Sequence, residues 1–187
     1  MGELKKAFVE GILRRCYEYG YVAPVLSATS RHPIGTNVFD RDWDTLILLD
    51  TCRVDALRQV APEYEFLSDD IRSILSVGST SSEWIAHTFT KQYQSIIEKT
   101  AYISGNGHAQ FILEEGKTPE ETEGVPALTR WETVDAATLD ALEHVWRYDD
   151  GPGHVHPDIV TDASIEFARS HEFDRLIIHY SQPHAPY

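Results

Sequence analysis

The sequence has few cysteines and no long apolar run. Cys16 and Cys52 are its only cysteines, too few for a disulfide framework or a zinc site built from thiolates. The chain has no run of about eighteen apolar residues, and its N-terminus lacks the apolar segment and small-residue cleavage site of a secretory signal. We therefore expect a cytoplasmic protein without a membrane-spanning helix.

Basic side chains are also scarce. The chain has 16 lysines and arginines against 30 aspartates and glutamates, a formal net charge of −14. Because it has no basic patch, neither nucleic acid nor a membrane is expected as a partner. Five lysines stand against eleven arginines. That bias, together with the acidity, is typical of halophilic proteins, and an ordinary acidic cytosolic protein is the alternative.

The composition predicts one globular domain, since 42 % of the residues are hydrophobic and 11 % are aromatic. Residues 3–19 are predicted to form an amphipathic helix that ends at Gly20, followed by an ordered connection over 22–44. The chain is thus divided into 1–44, the N-terminal helix and connection, and 45–187, an α/β domain. We expect the apolar face of the helix to pack on its own domain, with a membrane surface as the alternative. That face consists of Leu4, Phe8, Ile12 and Cys16.

The rest of the chain alternates predicted strands and helices. Apolar runs predict strands at 45–49, 101–104 and 175–180, and a strand or the approach to one at 71–77. Helical periodicity or start signals predict helices at 52–60, after Thr80, at 133–145 and at 157–170, with an exposed loop over 114–126. This alternation predicts an α/β layered fold with a largely parallel central sheet flanked by helices. Because only seven residues follow the last strand, we expect the N-terminal part of such a fold, cut part-way through its sheet.

Two polar residues stand where such a fold places its ligands. Asp50 follows the apolar run 45–49, and the carboxyl ends of parallel strands form the ligand-binding edge of an open α/β sheet. Thr80 and Glu83 fit a capping box at a helix start after Gly78. The Thr80 hydroxyl would stand at the positive end of that helix, where backbone N–H groups attract phosphate or sulfate oxygens. Asp50 is a hard oxygen ligand for a divalent cation, which would favour the Thr80 alkoxide.

Other residues near these positions have a structural interpretation as well as a functional one. Arg53 could bind a substrate anion or pair with a neighbouring carboxylate. Asp55 could assist a metal site, although a solvated helix residue is the favoured interpretation. His154 and His156 could act as metal ligands, but histidines in a loop before a helix are more often solvated.

Three segments resemble motifs of the sulfatase/alkaline-phosphatase superfamily and occur in that family's order. They are 46–55, similar to the first strand with its metal-binding Asp, 78–84, similar to the nucleophile turn, and 179–187, similar to the His-x-Pro-Tyr segment. The resemblance implies an alkaline-phosphatase-like fold and makes Asp50 and Thr80 metal ligands, with Thr80 the nucleophile. It makes Arg53 a substrate-binding residue, and His184 a catalytic residue that contacts the anion being cleaved. Together with the segments 33–37 and 43–44, the three motifs resemble the sulfatase-like proteins of halophiles in particular.

The departures from the family separate phosphate from sulfate chemistry. Sulfatases oxidise the Cys of a Cys-x-Pro-x-Arg motif to formylglycine, whereas Thr80, Ser82 and Trp84 occupy those three places here. Cys52 also lacks that context, and we expect it to be a buried helix thiol. A Thr nucleophile is used by the family's phosphatases, phosphodiesterases and phosphoglycerol transferases. The resemblance therefore implies a metal-dependent hydrolase or transferase for phosphate esters, less so sulfate esters, of a small molecule, glycan or lipid head group.

The resemblance leaves the metal site incomplete. The family's remaining ligands, an Asp-His pair and a later His, normally follow the His-x-Pro-Tyr segment, and the sequence ends at Tyr187. These residues do not decide between Ca, Zn, Mn and Mg as the divalent metal ion. The alternative hypothesis is a truncated, catalytically inactive fragment or a binding module.

Overall fold

A four-stranded parallel sheet forms the centre of the protein. The computed structural model describes residues 2–68, 70–148 and 155–183, with side chains from residue 9 onward. The strands are β1 (Thr45–Leu49), β2 (Thr100–Ser104), β3 (Ala141–His144) and β4 (Arg175–Tyr180). They are ordered β1-β4-β2-β3, and each neighbouring pair is parallel. The predicted α/β fold with a largely parallel sheet is therefore confirmed.

Helices and short helical turns connect the strands. The α-helices of the described residues are α1 (Gly2–Tyr17), α2 (Ala23–Thr29), α3 (Val54–Val60), α4 (Ser81–Thr88), α5 (Gln94–Ile97), α6 (Pro119–Glu123) and α7 (Pro157–Ser170). Two π-helical turns span Glu18–Val22 and Gln110–Glu114. Short 3-10 turns span Val38–Asp40, Ala61–Glu63, Lys91–Tyr93, Ala136–Thr138 and Val145–Tyr148.

The two inner strands are buried on both faces, because successive side chains of a strand point to opposite sides of the sheet. On one face, Tyr102 of β2 and Ile177 of β4 belong to a core that includes Ile85 of α4. On the other face, Ile103 belongs to a core with Val160 of α7. Burial of one such apolar side chain is worth roughly 1.5–3 kcal/mol, so these two cores hold α4 and α7 on the sheet.

Two predicted elements do not form. The strand that was one of the two alternatives for 71–77 does not form, and the Leu75 carbonyl there accepts a hydrogen bond from the Thr36 amide. The sequence predicts a helix over 133–145, but these residues contain the 3-10 turn Ala136–Thr138 and strand β3. A short apolar run fits the period of a helix as well as that of a strand. Here pairing with β2 selects the strand, because all four residues of β3 pair with β2.

The N-terminal helix also differs from its prediction. Gly20 does not end it, because helical backbone continues through the π-turn Glu18–Val22 into α2, which ends at Thr29. The side chains of residues 9–17 are all exposed, so the expected packing of this helix on its own domain is wrong for them. In α2, by contrast, Leu26 is buried. No helix in the described part of the chain has both the length and the apolar character needed to cross a bilayer.

Candidate functional site

A cavity of about 530 Å³ lies at the carboxyl ends of β1 and β4. Its walls come from the residues after β1, the turn before α4 and the end of β4. His108 and Glu123, which lie between α4 and β4 in the sequence, complete the lining. Open α/β sheets bind their ligands at this edge. The cavity therefore lies at the edge of the sheet where the sequence predicts a ligand-binding site.

Asp50 and Thr80, which the sequence assigned to one site, both line this cavity. The residue after Thr80 links them, because the Ser81 hydroxyl donates to Asp50 Oδ2 at 3.1 Å. Asn106, in the turn after β2, donates its side-chain amide to the same oxygen at 3.2 Å. Two donors from different elements thus hold the Asp50 carboxylate beside the start of α4.

The turn before α4 is fixed by capping. Thr80 is the N-cap of the helix, and its Oγ1 accepts a hydrogen bond from the Glu83 amide at 3.3 Å. The Glu83 carboxylate reaches back to the Ser79 amide at 2.7 Å, one residue before the partner that the capping box predicts. Gly78 is required by close approach, since a Cβ there would lie 2.3 Å from the Trp84 nitrogen. The Thr80 hydroxyl is therefore held at the N-terminus of α4.

A chain of hydrogen bonds runs from Thr80 to a carboxylate. Thr80 Oγ1 lies 2.9 Å from Ser82 Oγ, and Ser82 Oγ donates to Glu123 Oε1 at 2.6 Å. Ser82 is fully buried. Glu123 is the last residue of α6, a short helix with a Thr118–Glu121 capping box that replaces part of the loop predicted over 114–126. The Glu123 carboxylate at the end of α6 thus lies within hydrogen-bond distance of Ser82.

Two histidines line the same cavity. His179, at the end of β4, is 4 % exposed, and its Nδ1 lies 2.7 Å from the Tyr102 hydroxyl. Burial lowers the pKa of His179 to about 4, so the ring is neutral near pH 7. Burial raises the pKa of Tyr102, so its hydroxyl keeps its proton and can donate it to His179. His108 has a buried Nδ1 with no hydrogen-bond partner among the described residues.

Arg53 and Asp55 pair with each other rather than with groups of the cavity. Arg53 donates from Nε to Asp55 Oδ1 at 2.9 Å and from Nη2 to Oδ2 at 2.8 Å, and both side chains are exposed. Of the two roles considered for Arg53, binding a substrate anion or pairing with a neighbouring carboxylate, the structure has the second. Asp55 is a solvated residue of α3, as its favoured interpretation predicts. Cys52 is half-buried and lies before α3 against the cavity, so the expected buried helix thiol is wrong.

The histidines proposed from the sequence add no ligand to the described site. His184 and His154 lie outside the described residues. His156 is exposed, and its Nδ1 accepts a hydrogen bond from the Asp158 amide at the start of α7. Within 2–68, 70–148 and 155–183, no group of three or more His, Cys, Asp or Glu side chains could hold a metal ion. Asp50 and Thr80 alone do not complete a divalent-cation site.

The sequence reasoning missed several residues of the cavity. Asn106 and His108 follow β2 as Asp50 follows β1, so the rule about strand ends could have found both. His179 is the residue before the last one of β4 and reads from the sequence as part of an apolar strand. Glu123 meets Ser82 across 41 positions of the chain, and its sequence surroundings give no signal of that contact.

A scan against protein-family models, a search of curated proteins and a search of solved structures each gave no match to this chain. The resemblance to the sulfatase/alkaline-phosphatase superfamily therefore rests on the three motifs and their order.

Proposed function

We propose that this protein is a phosphoester hydrolase or phosphotransferase of the sulfatase/alkaline-phosphatase type, with an alkaline-phosphatase-like fold and Thr80 as nucleophile. The observation that supports it best is that Thr80 and Asp50 line one cavity at the carboxyl edge of the sheet. A threonine hydroxyl at the N-cap of a helix stands beside backbone N–H groups that have no partner within the helix. A phosphate group bound there would meet both the nucleophile and those donors.

The proposed reaction forms and breaks one covalent ester. Thr80 Oγ1 attacks phosphorus, and the oxygen of the leaving alcohol departs, so that a phosphothreonine is formed. Water then attacks the same phosphorus in a hydrolase, and an acceptor alcohol does so in a transferase. His179, which burial keeps neutral, lines the cavity wall together with His108, and both supply ring nitrogens beside the bound anion. His184 is proposed to contact that anion, and Arg53 could join it only by leaving Asp55.

The proposal keeps the divalent cation that the resemblance implies. Asp50 and Thr80 are the described residues that would hold it, and a bound cation would stabilise negative charge on the attacking oxygen. The described residues do not complete the ligand set of this cation, and the steps of the proposed reaction are therefore carried out by groups of the chain itself. The proposed substrates are phosphate esters of a small molecule, a glycan or a lipid head group, and the proposed setting is the cytoplasm of a halophile.

A second candidate is a phosphate-binding module without turnover. It is favoured by one observation, that the described residues contain no set of three metal-binding side chains. Such a module would bind inorganic phosphate at the cavity and would leave phosphate esters intact. Binding measured by calorimetry, with no release of nitrophenol from an ester, would favour it over the enzyme.

Substitutions of Thr80 test the enzyme directly. Thr80→Ser keeps the hydroxyl and the N-cap, whereas Thr80→Asn keeps the N-cap and removes the nucleophile. We expect Thr80→Ser to retain activity on 4-nitrophenyl phosphate or bis(4-nitrophenyl) phosphate, measured with Mg, Mn, Zn or Ca. Thr80→Asn should lose roughly 100-fold or more in kcat at unchanged thermal stability. Parental activity in Thr80→Asn would rule out this nucleophile, and faster cleavage of 4-nitrophenyl sulfate than of the phosphates would reverse the preferred ester.

A further inference from the structure

We propose that Ser82 and Glu123 take up the proton of Thr80, so that the nucleophile is activated by a relay of two hydroxyls and a carboxylate. This inference rests on the proposed function and deepens it. The relay consists of two contacts, 2.9 Å between Thr80 Oγ1 and Ser82 Oγ and 2.6 Å between Ser82 Oγ and Glu123 Oε1. Both distances lie within the range of ordinary O–H···O hydrogen bonds.

The direction of the relay follows from counting hydrogens. The Ser82 hydroxyl has one hydrogen, which it donates to Glu123. In the contact between the two hydroxyls, Thr80 must therefore be the donor and Ser82 the acceptor. The Glu83 amide donates to Thr80 Oγ1 and occupies one of its two lone pairs. The other lone pair is left for a phosphorus atom in the cavity, while the hydrogen points away from it toward Ser82.

Because Ser82 is buried, its hydroxyl proton can pass only to Glu123. Ser82 is 0 % exposed, so its hydroxyl cannot pass a proton to bulk water, and Glu123 is its acceptor. Glu123 lines the cavity and is exposed on α6, where it can exchange protons with solvent. A hydroxyl is a weak nucleophile unless a base or a metal removes its proton. Glu123, reached through Ser82, provides that base, and it acts beside the cation that the proposed function retains.

The proton transfers balance over one turnover. As the Thr80 Oγ–P bond forms and the bond from phosphorus to the leaving oxygen breaks, the Thr80 proton moves to Ser82 and the Ser82 proton moves to Glu123. The leaving alkoxide takes a proton from a water molecule, whose hydroxide attacks phosphorus and breaks the Thr80 Oγ–P bond. Glu123 then returns its proton through Ser82 to Thr80. The net reaction consumes one ester and one water and yields one alcohol and one phosphate.

The test uses the full chain and measures kcat and KM separately on 4-nitrophenyl phosphate. It also measures the rate at which diisopropyl fluorophosphate labels Thr80, read by mass spectrometry of the Thr80 peptide. Glu123→Gln and Ser82→Ala should each lower kcat and the labelling rate roughly 100-fold or more, with little change in KM. The double variant should be no slower than either single variant, because the two residues act as one unit.

Matched variants separate a proton relay from a structural role. Glu123→Asp keeps the carboxylate, so its kcat should be at least about tenfold higher than that of Glu123→Gln. Glu121→Gln makes the same charge change on α6 and keeps its capping box, so it should label at the parental rate. The relay is overturned if Glu123→Gln labels at the parental rate, or if the effects of the two single variants multiply.

The outcomes also distinguish failure of the relay from failure of the proposed function. If Thr80→Asn is inactive and unlabelled while Glu123→Gln behaves like the parent, the nucleophile stands and the relay is wrong. If Thr80→Asn is as active as the parent, or if the parent is neither labelled nor active, both are wrong.

Discussion

The burial of His179 predicts that the protein loses stability in mild acid. Burial is the largest cause that lowers the pKa of this histidine from 6.5 to about 4, and the nearby Asp50 charge opposes it only in part. Below pH 6.5 the unfolded chain therefore binds a proton at His179 that the folded chain does not bind. The free energy of unfolding is fully retained above pH 6.5 and falls as the pH drops from 6.5 toward 4.

The expected loss is large for one side chain. A pKa difference of this size corresponds to roughly 3 kcal/mol over the whole window and to about 2 kcal/mol at pH 5. Domains of this kind are stable by about 5–15 kcal/mol in total, so His179 alone would remove a substantial share of that at pH 5.

Urea unfolding followed by tryptophan fluorescence measures this effect in the parent and in His179→Gln at pH 7.5, 6 and 5, at constant salt. The eight other histidines and all carboxylates are common to both proteins, so the difference between them isolates His179. We expect the parent to lose about 2 kcal/mol more than the variant between pH 7.5 and pH 5. Equal losses in the two proteins would show that His179 titrates normally in the folded state, and the reasoning from burial would be refuted.

Three further substitutions test features around the cavity. Gly78→Ala should destabilise the fold by about 1–3 kcal/mol in urea unfolding and lower kcat, because the new Cβ meets the backbone of α4 at the Trp84 nitrogen. Tyr102→Phe leaves Nδ1 of His179 without its partner and should reduce the free energy of unfolding by about 1–3 kcal/mol, with Ala101→Gly as a packing control. Thr51 has φ of 58°, so Thr51→Gly should raise the melting temperature or leave it unchanged, and a clear decrease would contradict strain at this residue.

The sequence was sufficient for the parts of the fold whose local pattern agrees with their tertiary setting. The apolar run of β1 predicts a parallel strand, which is confirmed, and Asp50 at its end follows from the chain direction. The burial on both faces that such a run predicts is wrong for β1, since it lies at the end of the strand order and its side chains alternate between exposed and half-buried. The N-cap at Thr80 is a local hydrogen bond, so it too could be predicted. Local patterns failed at β3, where pairing with β2 decides between helix and strand. They also failed at α1, where Ile12 and Cys16 of the predicted apolar face are exposed.

The candidate site was harder to predict than the fold, because its remaining groups meet only through tertiary structure. Glu123 reaches Ser82 because α6 contacts α4, and no periodicity within either segment encodes that contact. His179 appears in the sequence as one residue of an apolar strand, and only the position of β4 in the middle of the sheet places it in the cavity wall. The roles assigned to Asp50 and Thr80, and those of Arg53 and His184, remain predictions.

Strand β1 has a consequence for handling the protein. It pairs with β4 along one side, and no described strand pairs with its other side. Ile47 and Leu49 are 57 % and 41 % exposed on this strand. A strand with free backbone groups and exposed aliphatic side chains is a template for pairing with another chain, so the isolated polypeptide should self-associate as its concentration rises. Ile47→Lys should suppress that association in light scattering, and unchanged scattering would point to a different surface.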